Sequence, residues 1–274
     1  MFTEFYGLTA SPFKLTPDPR FFFQGPIHRR ATAHLLFGID QREGFVVLTG
    51  EAGCGKTAVL GHVLDAVADG SFLAGRLVSS RLDCDDLLRA AAASFGLPYV
   101  GSDKATTLRR LEDFLTDCQG NGLRVLLVID EAQGLTAGAL EELRLLSNVE
   151  GAGRAALQII LAGQPALARQ LALPEGEALR QRVVASCQIG PLAAGETKDY
   201  ILHRLGVAGW HNDPVFADDV FAELFELSGG VPRRVNMLCN RLLLSAALDQ
   251  VHRVDRTVLR GVIEDMPQDL GLAA

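Results

Sequence analysis

The sequence predicts an α/β protein, a doubly wound parallel sheet followed by a small all-helical domain. Three observations carry this. The continuous apolar runs RVLLVID (Arg124–Asp130) and LQIILAG (Leu157–Gly163) have the character of strands buried on both faces, as parallel strands are. Segments of helical periodicity alternate with the strands, which is the order of βαβ units. From Pro191 onward the alternation stops and every segment reads as helix.

Taken in order, residues 11–26 (SPFKLTPDPRFFFQGP) are rich in proline and aromatics and predict an ordered arm packed on the body. Ile27 to Gln41 reads as a helix. Phe45 to Thr49 is a short β-rich run closed by glycines, and the stretch after Lys56 is helical in period. A strand is expected near Leu73–Ser79, helices near Asp85–Phe95 and Thr106–Gln119, and then the RVLLVID strand. A helix over Ala137–Leu146 precedes the LQIILAG strand, and Ser186–Ile189 reads as the last strand. Beyond it, Glu196–Leu205, Ala217–Ser228, Pro232–Leu248 and Arg256–Asp265 read as helices, with no strand expected. The expected organisation is an arm over 1–26, an α/β nucleotide-binding domain over 27–190 and a helical lid over 191–274.

A chain of 274 residues, 48% hydrophobic and 22% charged, buries a substantial core without disulfides. Its five cysteines are scattered with no C-x-x-C pair, which argues against a zinc site or disulfide framework and points to a reducing cytoplasm. No apolar run approaches a membrane span, and the first residues lack the pattern of a secretory signal. A net charge of −7 and a pI near 5.4 provide no general attraction for nucleic acid, although a local basic patch stays open.

The chemistry is carried first by GEAGCGKT (Gly50, Glu51, Ala52, Gly53, Cys54, Gly55, Lys56, Thr57), followed by Ala58. Glycines let the backbone curl so that its N–H groups face phosphates at a helix start, where the dipole also favours negative charge. Lys56 is expected on the β- and γ-phosphates of ATP and the Thr57 hydroxyl on Mg²⁺. Asp130 ends the most apolar strand, so its carboxylate emerges at the carboxyl edge of the sheet, suited to holding magnesium. Glu131 follows it and is placed to orient and deprotonate the attacking water. Gln164, at the end of the next strand, is placed to bond that water or the γ-phosphate. Arg182, or its neighbour Arg180, precedes the last strand and in a ring would reach the γ-phosphate of an adjacent subunit. Arg233, in GGVPRR at the start of a lid helix, would fold back over the nucleotide. Cys54 has two readings: a small filler, or a thiol made reactive by the helix start and Lys56.

Together GEAGCGKT, VIDEAQ, LAGQP, LRQRV and GGVPRR resemble the AAA+ ATPases related to general secretion pathway protein A. The arm YGLTASPFKLTPDPRFFF and the lid start ETKDYILHRLGVAG extend the resemblance over nearly the whole chain. Within that family the chain most resembles the short branch found at exosortase/PEP-CTERM loci. The resemblance implies a P-loop NTPase fold with Lys56 and Thr57 on phosphate and magnesium and Asp130 with Glu131 as the Walker B pair. It further implies Gln164 as first sensor, Arg182 as arginine finger and Arg233 as second sensor. Two departures stand out: Ala58 replaces a frequent threonine, and a first sensor is commonly asparagine.

The expected function is hydrolysis of ATP to ADP and phosphate, coupled to remodelling or assembly of a partner in secretion, pilus or exopolysaccharide export. A homo-oligomer is expected, cytoplasmic and held at the inner membrane, if at all, through a partner. Two rivals remain: a DNA-dependent regulator of transposition or replication, and a scaffold that binds ATP without turning it over.

Overall fold

The computed structural model describes residues 2–68, 70–78, 81–151 and 154–265. The chain opens with a short helix, α1 (Phe2–Phe5), and a 3-10 turn over Pro19–Phe21 in which the Asp18 side chain accepts from the Arg20 N–H. Helix α2 (Pro26–Asp40) leads to β1 (Phe45–Gly50), α3 (Lys56–Ala66) and β2 (Phe72–Val78). Next come α4 (Cys84–Ser94) and α5 (Lys104–Gly120), each started by an aspartate, Asp83 and Asp103, whose carboxylate accepts a first-turn N–H. Strand β3 (Arg124–Asp130) and a 3-10 turn (Ala132–Gly134) precede α6 (Ala137–Leu146), capped by Thr136. A two-residue hairpin, β4 (Glu150–Gly151) with β5 (Arg154–Ala155), leads into β6 (Leu157–Gly163). Short helices α7 (Pro165–Ala172) and α8 (Glu177–Arg180) precede β7 (Val183–Ile189). The remainder is α9 (Ala194–Val207), β8 (Val215–Phe216), α10 (Asp218–Ser228), α11 (Pro232–Leu248), β9 (Arg253–Val254) and α12 (Arg256–Glu264).

Five strands form one sheet in the order β2-β3-β6-β1-β7, every pair parallel. Strands β1, β3 and β6 are buried almost throughout, which is why they read as unbroken apolar runs. β7 is three residues longer at its start than the expected Ser186–Ile189, because Val183, Val184 and Ala185 belong to an edge strand with a mixed burial pattern. The expected end of β2 at Ser79, and residues 266–274 of the expected lid, lie outside the described residues. From Gly190 on, the chain is helical apart from the β8–β9 pairing, Val215 opposite Arg253 and Phe216 opposite Val254. Two residues per strand are too few to produce a readable alternation.

The described residues fall into two compact units: those of 1–29, 52–58 and 190–274, and those of 30–51 and 59–189. The second unit contains the sheet, whose core includes Val47, Leu87, Leu127, Ile129, Leu143 and Ile159. In the first, Tyr6, Leu8 and Phe13 of the arm share a core with Ile201, Leu205, Leu238 and Leu242. Arg204 anchors the arm: its guanidinium lies 5.0 Å from the Phe21 ring, its Nη1 donates to Tyr200 Oη at 2.9 Å, and its Nε donates to the Pro12 carbonyl. Tyr200 in turn donates to Asn236 Oδ1 at 2.9 Å.

Candidate functional site

The carboxyl edge of the sheet gathers the ends of its central strands. β6 separates β3 from β1, so Asp130, Gly163 and Gly50 end three successive strands. Glycine is required at position 50, since a Cβ there would lie 2.5 Å from the Ile189 carbonyl oxygen. The glycine-rich loop continues from this end of β1 into α3, the strand-loop-helix order that phosphate binding uses.

Within the first unit, the loop residues Ala52–Ala58 lie against the start of α11 and the start of α2. Gly53 has φ +85 and Gly55 φ +94, a region open to glycine and rarely to other residues. The Arg233 N–H donates to the Gly53 carbonyl at 3.2 Å, and a Cβ on Gly53 would lie 2.7 Å from Arg233 Cβ. Expected second-sensor residue and expected phosphate loop are therefore in direct contact through the backbone. His28 Nε2 lies 3.1 Å from the Cys54 carbonyl, which can only accept, so Nε2 carries the proton. Burial holds the imidazole below its usual range, against weaker upward pulls from that hydrogen bond and from Glu196. Lys56, the first residue of α3, is 5% exposed. Thr57 follows it in the first turn, where a hydroxyl suits a magnesium ligand.

Cys54 is fully buried. Of its two readings, burial favours the small filler over the reactive thiol.

Within the second unit, Asp130 is 4% exposed; its Oδ1 accepts the Glu131 N–H at 3.0 Å, and Arg76 Nη2 reaches its Oδ2 at 3.4 Å. Arg76 comes from β2, two residues before Val78, which is paired with Asp130. Glu131 has φ +55, a left-handed conformation whose strain is typical of functional positions. Its Oε2 accepts from Gln133 Nε2 at 2.6 Å and from Gln164 Nε2 at 3.3 Å. The other end of the Gln133 amide accepts the Gln164 backbone N–H at 2.9 Å. Asp130, Glu131 and Gln164 are thus brought together, joined by two residues, Gln133 and Arg76, to which the sequence reading gave no role. Gln133 lies within the VIDEAQ motif, but the contact that reveals its part links positions 31 residues apart.

Arg182 stands apart from this group. It precedes β7, at the amino edge of the sheet, and seven residues of strand put it roughly 20 Å from the carboxyl edge. Its Nη1 donates to Ser147 Oγ at 3.1 Å, whereas Arg180 is exposed and its Nη1 is 3.4 Å from the Ala172 carbonyl.

The chemistry of the two groups fits Mg–ATP. In the first unit the loop carries positive-φ glycines and a threonine hydroxyl at a helix start, and in the second a buried carboxylate; each is of the type that phosphate and magnesium take.

Comparison with known proteins agrees with this geometry. Residues 39–171 match the family described as AAA domain. General secretion pathway protein A of Aeromonas hydrophila is 37% identical over 258 residues, which cover 93% of this chain and 46% of that protein. The chain thus spans about half the length of that relative. Among solved structures, Cdc6p from Pyrobaculum aerophilum superposes with a TM-score of 0.74 at 15% identity, covering 91% of this chain and 71% of that one. The Aeropyrum pernix ORC2 protein, in ADPNP–ADP complexes, gives 0.68 at 12% identity, with coverage of 91% and 72%. The fold is the AAA P-loop fold, and over nearly its whole length the chain is similar to general secretion pathway protein A.

Proposed function

We propose that this AAA P-loop fold is an ATP-hydrolysing motor that drives remodelling or assembly of a partner in an export system, whether protein secretion, pilus or exopolysaccharide. The observation that carries the reading is the carboxyl edge of one sheet, where the strand entering GEAGCGKT, the strand just before Gln164 and the strand ending at Asp130, just before Glu131, follow one another. Magnesium, when bound, would offset the charge of the phosphates. In this reading the backbone N–H groups of residues 51–57 and the Lys56 ammonium bind the phosphates, while Thr57 and Asp130 hold the metal. Glu131 takes the proton of the attacking water, with Gln164 beside it to orient that water. Arg233, bonded to the Gly53 carbonyl, registers the state of the loop from the helical part.

We assign Arg182 to a neighbouring subunit's nucleotide, because its place at the amino edge of the sheet removes it from the carboxyl edge of its own. The partner belongs to the secretion-related assignment, which is supported by the 37% identity to general secretion pathway protein A. No helix among the described residues is long and apolar enough to cross a membrane.

The test is steady-state phosphate release with parallel nucleotide binding. Lys56→Ala is expected to weaken binding, and Glu131→Gln to retain binding while losing about 10²–10⁴-fold in turnover. Wild-type turnover in Glu131→Gln would remove the assignment. Stimulation of turnover by DNA, lost with rising salt, would instead favour a DNA-dependent regulator.

A further inference from the structure

We propose that Gln133 is a positioning residue for hydrolysis, a two-ended amide clamp that fixes the Glu131 carboxylate against the strand bearing Gln164. The inference rests on the ATPase reading above and adds a residue to it.

The orientation of the Gln133 amide follows from its partners. A backbone N–H can only donate, so the Gln133 atom 2.9 Å from the Gln164 nitrogen is its oxygen, Oε1. The other end of the amide is therefore –NH₂, and it faces Glu131 Oε2 at 2.6 Å. Oε1 also packs against Gly163, where a Cβ would come within 2.7 Å of it. The clamp thus requires a glycine at the end of β6 as well as an amide on the turn after β3. Gln164 Nε2 adds a longer contact of 3.3 Å to the same carboxylate oxygen.

Both donors fall on Oε2, which leaves Oε1 of Glu131 as the oxygen for water. Glu131 needs such restraint. Its backbone is left-handed, and the residue lies in the turn between β3 and the 3-10 segment rather than in a regular element. An amide charge-assisted by the carboxylate holds a glutamate rotamer far better than water does. A general base misplaced by about 1 Å can cost on the order of 10²-fold in rate.

Two substitutions isolate the clamp. Gln133→Met keeps the length of the chain and removes both hydrogen bonds. Gln133→Glu keeps the acceptor for the Gln164 N–H but turns a carboxylate toward Glu131. Each is measured for kcat and KM in phosphate release, for binding of a fluorescent ATP analogue, and for its unfolding midpoint. The same changes are then made in a Glu131→Gln background and read in single-turnover hydrolysis of labelled ATP. Expected for both is a fall in kcat of about tenfold to hundredfold, with KM and analogue affinity within twofold of wild type. In the Glu131→Gln background neither should cost more than a further twofold, since the group being positioned is gone. If kcat stays within twofold of wild type, if analogue affinity falls in step with kcat, or if the loss is equal in both backgrounds, Gln133 has no positioning role, and the ATPase reading stands. An inactive wild type would overturn the ATPase reading first and this inference with it.

Discussion

Substituting Gly53 by alanine tests the contact between the phosphate loop and the lid helix at a single atom. The new Cβ would stand 2.7 Å from Arg233 Cβ and 3.1 Å from Val231 Cγ1. The position of the Arg233 Cβ is set by its backbone and no side-chain rotation relieves that contact, so the backbone must move. The left-handed region at φ +85 adds about 1–2 kcal/mol for an L side chain, and overpacking of this kind about 1–3 kcal/mol. Gly53→Ala should therefore destabilise by about 2–5 kcal/mol and weaken nucleotide binding. Gly61→Ala is the internal contrast. It lies in α3 with nothing within 4 Å of its Cβ position, and should stabilise by about 0.4–1 kcal/mol. Denaturant unfolding of the three proteins, with and without Mg–ATP, reads both signs. A Gly53→Ala change within about 0.5 kcal/mol of wild type, the range of an inert surface substitution, would refute the contact argument.

The other predictions are shorter. Arg204→Ala should cost about 2–4 kcal/mol in chemical unfolding, since the buried Tyr200 hydroxyl and Pro12 carbonyl lose a charged donor; Arg204→Lys should recover less than half. Stability should fall with acid: burial holds His28 and His203 below the usual imidazole range, so the unfolded chain binds protons below about pH 6.5 while the folded chain does not. The stabilisation is complete above that pH and is lost as pH falls below it. His28→Gln, which keeps an N–H for the Cys54 carbonyl, should flatten the unfolding midpoint between pH 7.5 and 5.5 (roughly one unit either side of that pKa). Mixing Arg182→Ala with Glu131→Gln should restore hydrolysis at mixed interfaces, and if mixing restores nothing, the proposal that Arg182 acts on a neighbour falls.

Much of the fold was legible because buried parallel strands and capped helices leave local signatures. Arg124–Asp130, Leu157–Gly163, Ala137–Leu146 and Pro232–Leu248 are observed at the bounds their periodicity predicts. Apart from the eight-residue helix α7, which the reading passed over between two strands, the elements that escaped it are short. The hairpin at residues 150–155, α8 and the β8–β9 pair each have two to four residues per element, less than one period of the pattern that would announce them. The edge strand β7 was read short because its burial is mixed and the polar residues Ser186 and Gln188 interrupt its apolar character.

At the site, the limit of the sequence has a different cause. Residue types that act on a ligand directly are readable, since glycine, lysine, threonine and paired carboxylates announce their chemistry at fixed spacings. Residues that act on other residues are not. Arg76 meets Asp130 across a strand register 54 positions away, and Gln133 meets Gln164 across two strands. Neither spacing is written in any local period, so each required the sheet order β2-β3-β6 before it could be seen. Arg182 is separated from the carboxyl edge by its place before the start of the parallel strand β7, which its motif alone does not reveal. In a sheet of this kind the strand ends can be ranked for chemistry from sequence, but which end restrains which is decided by strand order and direction.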